Sequence, residues 1–523
     1  MESTDDTEPN ASETPAGEYV SSAPKTSALG TDAPKARKGG GDKAHPWRDN
    51  IEAITISIVT IVLFKYFVLE AYKIPTGSMQ PTLMGNEETG IFDRVIVDKL
   101  SYHYRDPERF EIAVFKYPLD SSKNYIKRIV GMPGERLRIE NGDLFITPPG
   151  ETEERVLRRS RAIQDAQLKL LETEDEWGLR GAASKSWEVE HRSGGDRIVA
   201  VTGDAGGVPR QASATFPGRT YTSITDDYLD GYPKGIKDKV IDDRKNSNMF
   251  SVPDLRVRAS VRADAECTRV AVVLHEGGRR YRFVLPGPAA PADQGARIEA
   301  VGLDPALGPN QTYAAPEDSL RLAAGEQIDL EVQNLNDLLS MRVNGEELCQ
   351  LEIPPGPPRA ESRVTLEVDA PAGKGAVLDD VRVWRDIHYT VQIPQQRREW
   401  VIPEGHYLVL GDNTQDSSDA RDWTFAQFEL DGGDVVRGSR RGGAQVRPDS
   451  NPFPVGAATR PEYWVFHDDL GERHVIEPDS SRRLPDTDEM ASFVPRDLIR
   501  GRAVVVVWPF AFWHDVYRLK WVR

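Results

Sequence analysis

One run dominates the hydropathy pattern. Ala53–Leu69, AITISIVTIVLFKYFVL, is apolar apart from its hydroxyl residues and Lys65. It is slightly shorter than the roughly 20 residues of a spanning helix. Lys65 lies near one end, where its stem can reach the interface, and Tyr66 and Tyr72 suit the same boundary. The run begins well inside the chain and lacks a small-x-small exit, which argues against a cleaved secretory signal. The pattern predicts a transmembrane helix over residues 51–70, with a buried soluble helix as the other reading.

Beyond it the period changes to two. Asp93–Ser101, Phe110–Pro118 and Asn124–Val130 alternate as strands do. Gly131-Met-Pro-Gly134 marks a turn. Arg136–Glu140 and Asp143–Thr147 flank Asn141-Gly142, a dipeptide suited to a type I′ hairpin. Gln164–Glu174 reads as a short helix. From Ser184 to Tyr389 short alternating segments recur between Gly and Pro turns: Arg256–Val261, Thr268–His275, Arg280–Leu285, Gln327–Val332, Ser340–Val343, Arg363–Val368 and Val377–Trp384. That spacing predicts a self-contained β-sandwich. The earlier pattern resumes at His388–Trp400 and Val401–Asp412. Thr424–Met490 is polar and interrupts it, and Ala503–Val507 closes it as a buried-type strand.

The fold class this predicts is mainly β, with one N-terminal transmembrane helix. The division is a disordered tail at 1–46, the helix at 51–70, a first globular part at 71–183, the inserted sandwich at 184–389, and a second globular part at 390–523 interrupted at about 424–490.

Composition agrees. The chain of 523 residues has room for several domains, and its 43 Gly and 37 Pro suit turn-rich β structure. A formal charge of -17 lends no support to nucleic-acid binding. The 2 cysteines, Cys267 and Cys349, form no CxxC pair, so the chain offers no cysteine zinc site. Paired and free thiols both remain open. The tail turns basic at Lys35, Arg37, Lys38, Lys43 and Arg48, which predicts a cytoplasmic N-terminus and places everything after Glu70 outside the cytoplasm.

The candidate chemistry begins at Ile74–Leu83, Ile-Pro-Thr-Gly-Ser-Met-Gln-Pro-Thr-Leu. Glycine and two prolines constrain this turn, so it can present the Ser78 hydroxyl rigidly and leave backbone N–H groups for an oxyanion. A serine nucleophile needs a base. Lys127 can serve only when neutral, which burial beside Tyr125, Ile126, Ile129 and Val130 would favour. Ser78, His406 and Asp412 form a weaker rival triad. His467, Asp468, Asp469 and His474 lack recognisable metal-ligand spacing and read as a solvated loop. No phosphate-loop or dinucleotide fingerprint occurs, so neither metal nor cofactor is expected.

Four segments, Ile74–Leu83, Asp93–Lys99, Tyr125–Glu135 (YIKRIVGMPGE) and Gly411–Arg421 (GDNTQDSSDAR), the last followed after an insertion by Phe493-Val-Pro, resemble in order the conserved boxes of bacterial type I signal peptidases. The resemblance implies a β catalytic domain anchored in the inner membrane by one span. It implies a Ser/Lys endopeptidase that removes signal peptides from secreted preproteins, with membrane lipid and preproteins as partners. Ser78 matches the nucleophile and Lys127 the base. Thr76 matches the hydroxyl that completes the oxyanion hole, and Ser417 the serine that orients the lysine amine. Asp419 and Arg421 match a structural ion pair, with Asp412 beside them. Phe92, Thr414, Gln415, Asp416 and Ala420 depart from the usual residues. A self-cleaving repressor of the same fold is disfavoured by the span.

Leu330–Ile353 and Leu378–Asp386 resemble a laminin-G or concanavalin-like jelly roll, which implies a carbohydrate or protein ligand and, as the alternative function, a non-catalytic binding protein. The insertion is expected to be autonomous and separate from the active site.

Overall fold

The computed structural model describes residues 46–523 except 87–89, 174–176, 181–186, 193–194, 202–209, 218–222, 233–235, 237–249, 303–310, 315–319, 358–360, 372, 391–398, 431–432, 441–450, 458–459, 478–480, 485–491, 509 and 512–515. The tail read as disordered therefore lies outside the described residues, apart from Pro46.

Residues 1–60 and 61–523 are separate units. A helix runs over Pro46–Phe67, and every described side chain on it is exposed, from Trp47 through Ile54, Ile58, Ile61 and Phe64 to Phe67. Among the described residues no helix is long and apolar enough to cross a membrane. Leu69–Lys73, partly inside the expected span, is a strand instead, paired in register with Arg94–Asp98.

That strand opens one of the large sheets. Its order is Leu69–Lys73, Arg94–Asp98, Ile499–Trp508, Ile112–Tyr117, Asp120–Gly131, His406–Leu410 and Phe493–Pro495. Alternation places Val95, Val97, Val114 and Val506 into one core with Ile74, Met79 and Leu83. The hairpin of Arg136–Glu140 and Asp143–Thr147 forms where Asn141-Gly142 predicts it, with φ of 51° and 94° at the two turn residues. Glu399–Val401 pairs with Arg136–Arg138, and the fully buried Trp400 on it shares a core with Leu137 and Ile139.

The middle of the chain folds as two antiparallel sheets around one core. One sheet holds Gly375–Arg385, Leu255–Ala263, Gln327–Leu335 and their neighbours, and the other holds Ser362–Ala370, Arg269–Glu276 and Arg279–Pro286. Cys267 and Cys349 are both buried here as free thiols, and burial pushes them up to about 11 and about 12. No disulfide links them.

Two segments differ from the sequence reading. The helix expected at Gln164–Glu174 runs over Arg161–Gln167, and Lys169–Leu170 becomes a strand on Trp384–Arg385. Pairing to the sandwich outweighs the local helical preference there. The polar stretch after Thr424 is not featureless. It forms strands that include Phe425–Leu430, Val435–Ser439 and Arg460–His467, with a small core of Ala426, Phe428, Phe466 and Ile476. Leu430, Val436 and Trp464 pack against that core, and in the sequence these apolar residues are dispersed among many charges.

Candidate active site

Sheet register assembles the site. Asp120–Gly131 pairs with Ile112–Tyr117 on one side, setting Lys127 opposite Ala113, and with His406–Leu410 on the other, setting Arg128 opposite Leu410. Gly411 and Asp412 follow Leu410 directly, so the fourth segment emerges beside the third. A side chain on Gly411 would meet Ser417 Oγ at 2.1 Å and the Ser78 carbonyl at 2.5 Å. Only glycine lets these two loops approach so closely.

Ser78 Oγ and Lys127 Nζ lie 2.5 Å apart in a hydrogen bond. Ser78 is half-buried, and Lys127 is 3 % exposed. Burial brings the Lys127 ammonium down to about 8, with the Asp419 carboxylate opposing and the Arg421 guanidinium assisting. Ile129 and Val130 are fully buried, and Tyr125 stacks on Tyr117 with ring centroids 4.4 Å apart and packs edge-on against Trp423.

The loop bearing Ser78 is held on several sides. Asn413 donates its N–H to the Ser78 carbonyl at 3.2 Å and its side-chain amide to the Gly77 carbonyl at 3.0 Å. Arg518 donates to both oxygens of Asp93 at 2.7 and 2.9 Å and to the Pro81 carbonyl at 3.0 Å, while Asp93 also accepts the Met84 N–H. Phe92, in place of the usual glycine, lies under the Lys73 ammonium at 3.8 Å.

Behind the pair sit two buried ion pairs. Arg128 donates through Nε and Nη2 to the two oxygens of Asp412 at 2.8 and 2.6 Å, and Thr82 Oγ1 donates to the same carboxylate at 2.6 Å. Arg421 donates to Asp419 at 2.8 Å, and Asp419 also accepts the Gly411 N–H at 2.9 Å. Burial alone would raise both carboxyls, but the facing guanidiniums hold each below the usual carboxylate range. Asp412 thus pairs with Arg128, and Asp419 with Arg421.

Ser417 is nearby and buried, but its Oγ has no hydrogen-bond partner, so the expected bond to the lysine amine is not made. Thr76 lies two residues before Ser78 with its side chain exposed. His406 is not part of the site. Its Nδ1 bonds the Glu404 carbonyl, and Asp412 is taken by Arg128 and Thr82, so the rival triad does not form. Of the four residues weighed for a metal, Asp468 and His474 sit together with Glu472 rather than with His467 or Asp469. Asp468 there accepts the Leu470 and Glu472 N–H groups and braces a turn.

Sequence reasoning passed over Arg128, Asn413 and a second buried lysine. Lys169 Nζ donates to the Asp412 carbonyl at 3.5 Å, and burial, aided by the Arg385 guanidinium, brings its ammonium down to about 7. Arg128 was legible as a charge within an apolar strand. Lys169 carried no such signal, because its burial depends on Arg385 and Asp230, which are distant in sequence.

The Peptidase S26 family, described as signal peptidase, matches residues 47–200 and 341–436. A probable signal peptidase I-2 of Synechocystis sp. is 36% identical over 21% of this chain and 50% of its own length. Signal peptidase I of Leptolyngbya laminosa is 38% identical over 19% of this chain and 50% of its own. The chain thus spans about half the length of these relatives. Among solved structures, a Caenorhabditis elegans galectin matches 26% of this chain and 82% of its own at 13% identity, with a TM-score of 0.18. A carbohydrate binding module from Bacillus subtilis matches 39% of this chain and 93% of its own at 8% identity, with a TM-score of 0.21. The resemblance to type I signal peptidases read from the four segments is borne out at the level of sequence relatives.

Proposed function

We propose that this chain is a serine endopeptidase of the signal peptidase type, which removes N-terminal signal peptides from preproteins with Ser78 as nucleophile and Lys127 as base. The observation that carries this reading is the 2.5 Å contact between Ser78 Oγ and the buried Lys127 amine. A buried lysine with its ammonium lowered to about 8 holds a usable fraction of free amine near neutral pH.

In this mechanism the neutral Lys127 Nζ takes the Ser78 proton as Oγ attacks the scissile carbonyl. Oxygen–carbon bond formation gives a tetrahedral oxyanion. The Ser78 N–H and the Thr76 hydroxyl are the donors proposed to hold it. The Lys127 ammonium returns its proton to the leaving amine as the carbon–nitrogen bond breaks, leaving an ester on Ser78. A water molecule, deprotonated by the same amine, then attacks that ester, and Ser78 is restored with release of the signal-peptide carboxylate. Asp419 and Arg421 keep the wall behind the amine rigid and nearly neutral in sum.

The helix Pro46–Phe67 is the proposed membrane anchor. Its apolar residues, Ile51, Ile56, Val59, Val62 and Leu63 among them, are more than half exposed and need a cover that is not water. The N-terminal tail would then be cytoplasmic and the catalytic part extracytoplasmic, in the inner membrane.

The test is cleavage of a purified preprotein by the full chain, with sequencing of the new N-terminus, beside a Ser78→Ala preparation. Cleavage after small residues by the first and none by the second is expected. Equal cleavage by both would remove Ser78 from the mechanism. Binding of the full chain to lipid vesicles, lost when charges are placed at Ile58 and Val62, tests the anchor.

A further inference from the structure

The insertion reaches the nucleophile loop. Between the sandwich strands, just after Ile224 of the sandwich core, Asp226–Tyr232 forms a strap that packs against Gly77, Gln80 and Pro81 and against the fourth segment. Its sandwich end is anchored by Arg385, whose guanidinium pairs with Asp230 and donates to the Asp227 carbonyl at 2.8 Å. At its other side Tyr228 donates its hydroxyl to Gln80 Oε1 at 3.3 Å, and Tyr232 donates to the same oxygen. Gln80 is 1 % exposed and donates its own amide to the Gly85 carbonyl at 3.0 Å, so it spans the base of the loop two residues after Ser78. Gln415 donates to the Asp226 carbonyl, which ties the strap to the fourth segment as well. Tyr228, Leu229, Tyr232 and Met84 share one small apolar core.

We infer that Tyr228 and Tyr232 of the inserted part, acting through Gln80, are positioning residues for the Ser78 nucleophile. The inference rests on the proposed peptidase reading, and it corrects the expectation that the insertion stands apart from the active site. The reason is geometric. The loop carrying Ser78 has no regular secondary structure of its own, so side-chain contacts must fix where Oγ points. Gln80 is its most buried polar residue, and its acceptor is satisfied by hydroxyls that only the insertion supplies. A displacement of Oγ by about 1 Å is enough to cost on the order of 10²-fold in rate.

The test uses the full chain with Tyr228→Phe/Tyr232→Phe and, separately, Gln80→Met. Both keep the volume of the site and remove the hydrogen bonds. Preprotein cleavage gives kcat and KM, and amide hydrogen exchange is followed in peptides covering 77–83, with peptides covering 269–276 as a control for the fold. Both variants should lose about tenfold or more in kcat at unchanged KM. Both should also exchange faster at 77–83 and normally at 269–276. Unchanged exchange at 77–83, or faster exchange at unaltered kcat, overturns the positioning role. A wild-type chain that cuts no preprotein, in variants of which 77–83 still loses protection, would refute the peptidase reading while upholding the strap's hold on the loop.

Discussion

Arg128 and Asp412, 284 residues apart, meet side-on with both side chains at 0 % exposure. Their pairing ties the strand that carries Lys127 to the loop that carries Ser417 and Asp419. The two parts of the chain flanking the insertion are thus joined close to the Ser78–Lys127 contact.

Removing one partner should therefore be severe. Asp412→Ala would leave a guanidinium buried without its counter-charge, which typically costs about 3–5 kcal/mol. Denaturant unfolding of the full chain should show this loss. Arg128→Met/Asp412→Leu, which removes both charges, should recover much of it. A single variant as stable as the parent would mean that the pair contributes nothing.

Ser78→Ala and Lys127→Ala should each abolish preprotein processing while the unfolding midpoint stays near that of the parent. Members of one catalytic unit are non-additive, so the double variant should be no slower than either single one. Burst-phase and steady-state assays on the three proteins check this, and a double variant slower than both would argue for a second route to the product.

Activity should rise with pH. Burial lowers the Lys127 ammonium to about 8, and only the neutral amine accepts the Ser78 proton. The neutral fraction is then about a tenth at pH 7 and about nine tenths at pH 9, so kcat/KM should climb roughly tenfold between them. A profile that falls over this range would contradict lysine as the base.

Thr76→Val should slow turnover by about 10²–10³-fold with little change in KM, because the hydroxyl is proposed to act on charge present only in the transition state. Thr76→Ser keeps the donor and should be nearly neutral. Single-turnover kinetics separate the two, and full turnover in Thr76→Val would assign the exposed hydroxyl no role.

By itself the sequence determined the local elements and the chemistry-bearing segments. Period-two alternation predicted strands at 110–118 and 124–130, and Asn141-Gly142 predicted its hairpin, because both depend on backbone preferences and on one buried face. Ser78 and Lys127 were singled out because four short segments resemble the family's boxes in order; a lysine in such a strand by itself reads as solvated. What only the tertiary structure decided was how distant groups compensate one another. The buried pair of Arg128 and Asp412, the lowered Lys169 beside Arg385, the free buried thiols, and the grip of Tyr228 and Tyr232 on Gln80 all depend on packing between segments far apart in the chain. Burial sets the cost of each polar group, and no local pattern records which remote partner offsets it. The strand at Lys169–Leu170 has the same origin: pairing with Trp384–Arg385 decides its conformation, two centuries of residues beyond any window in which its helical pattern is read.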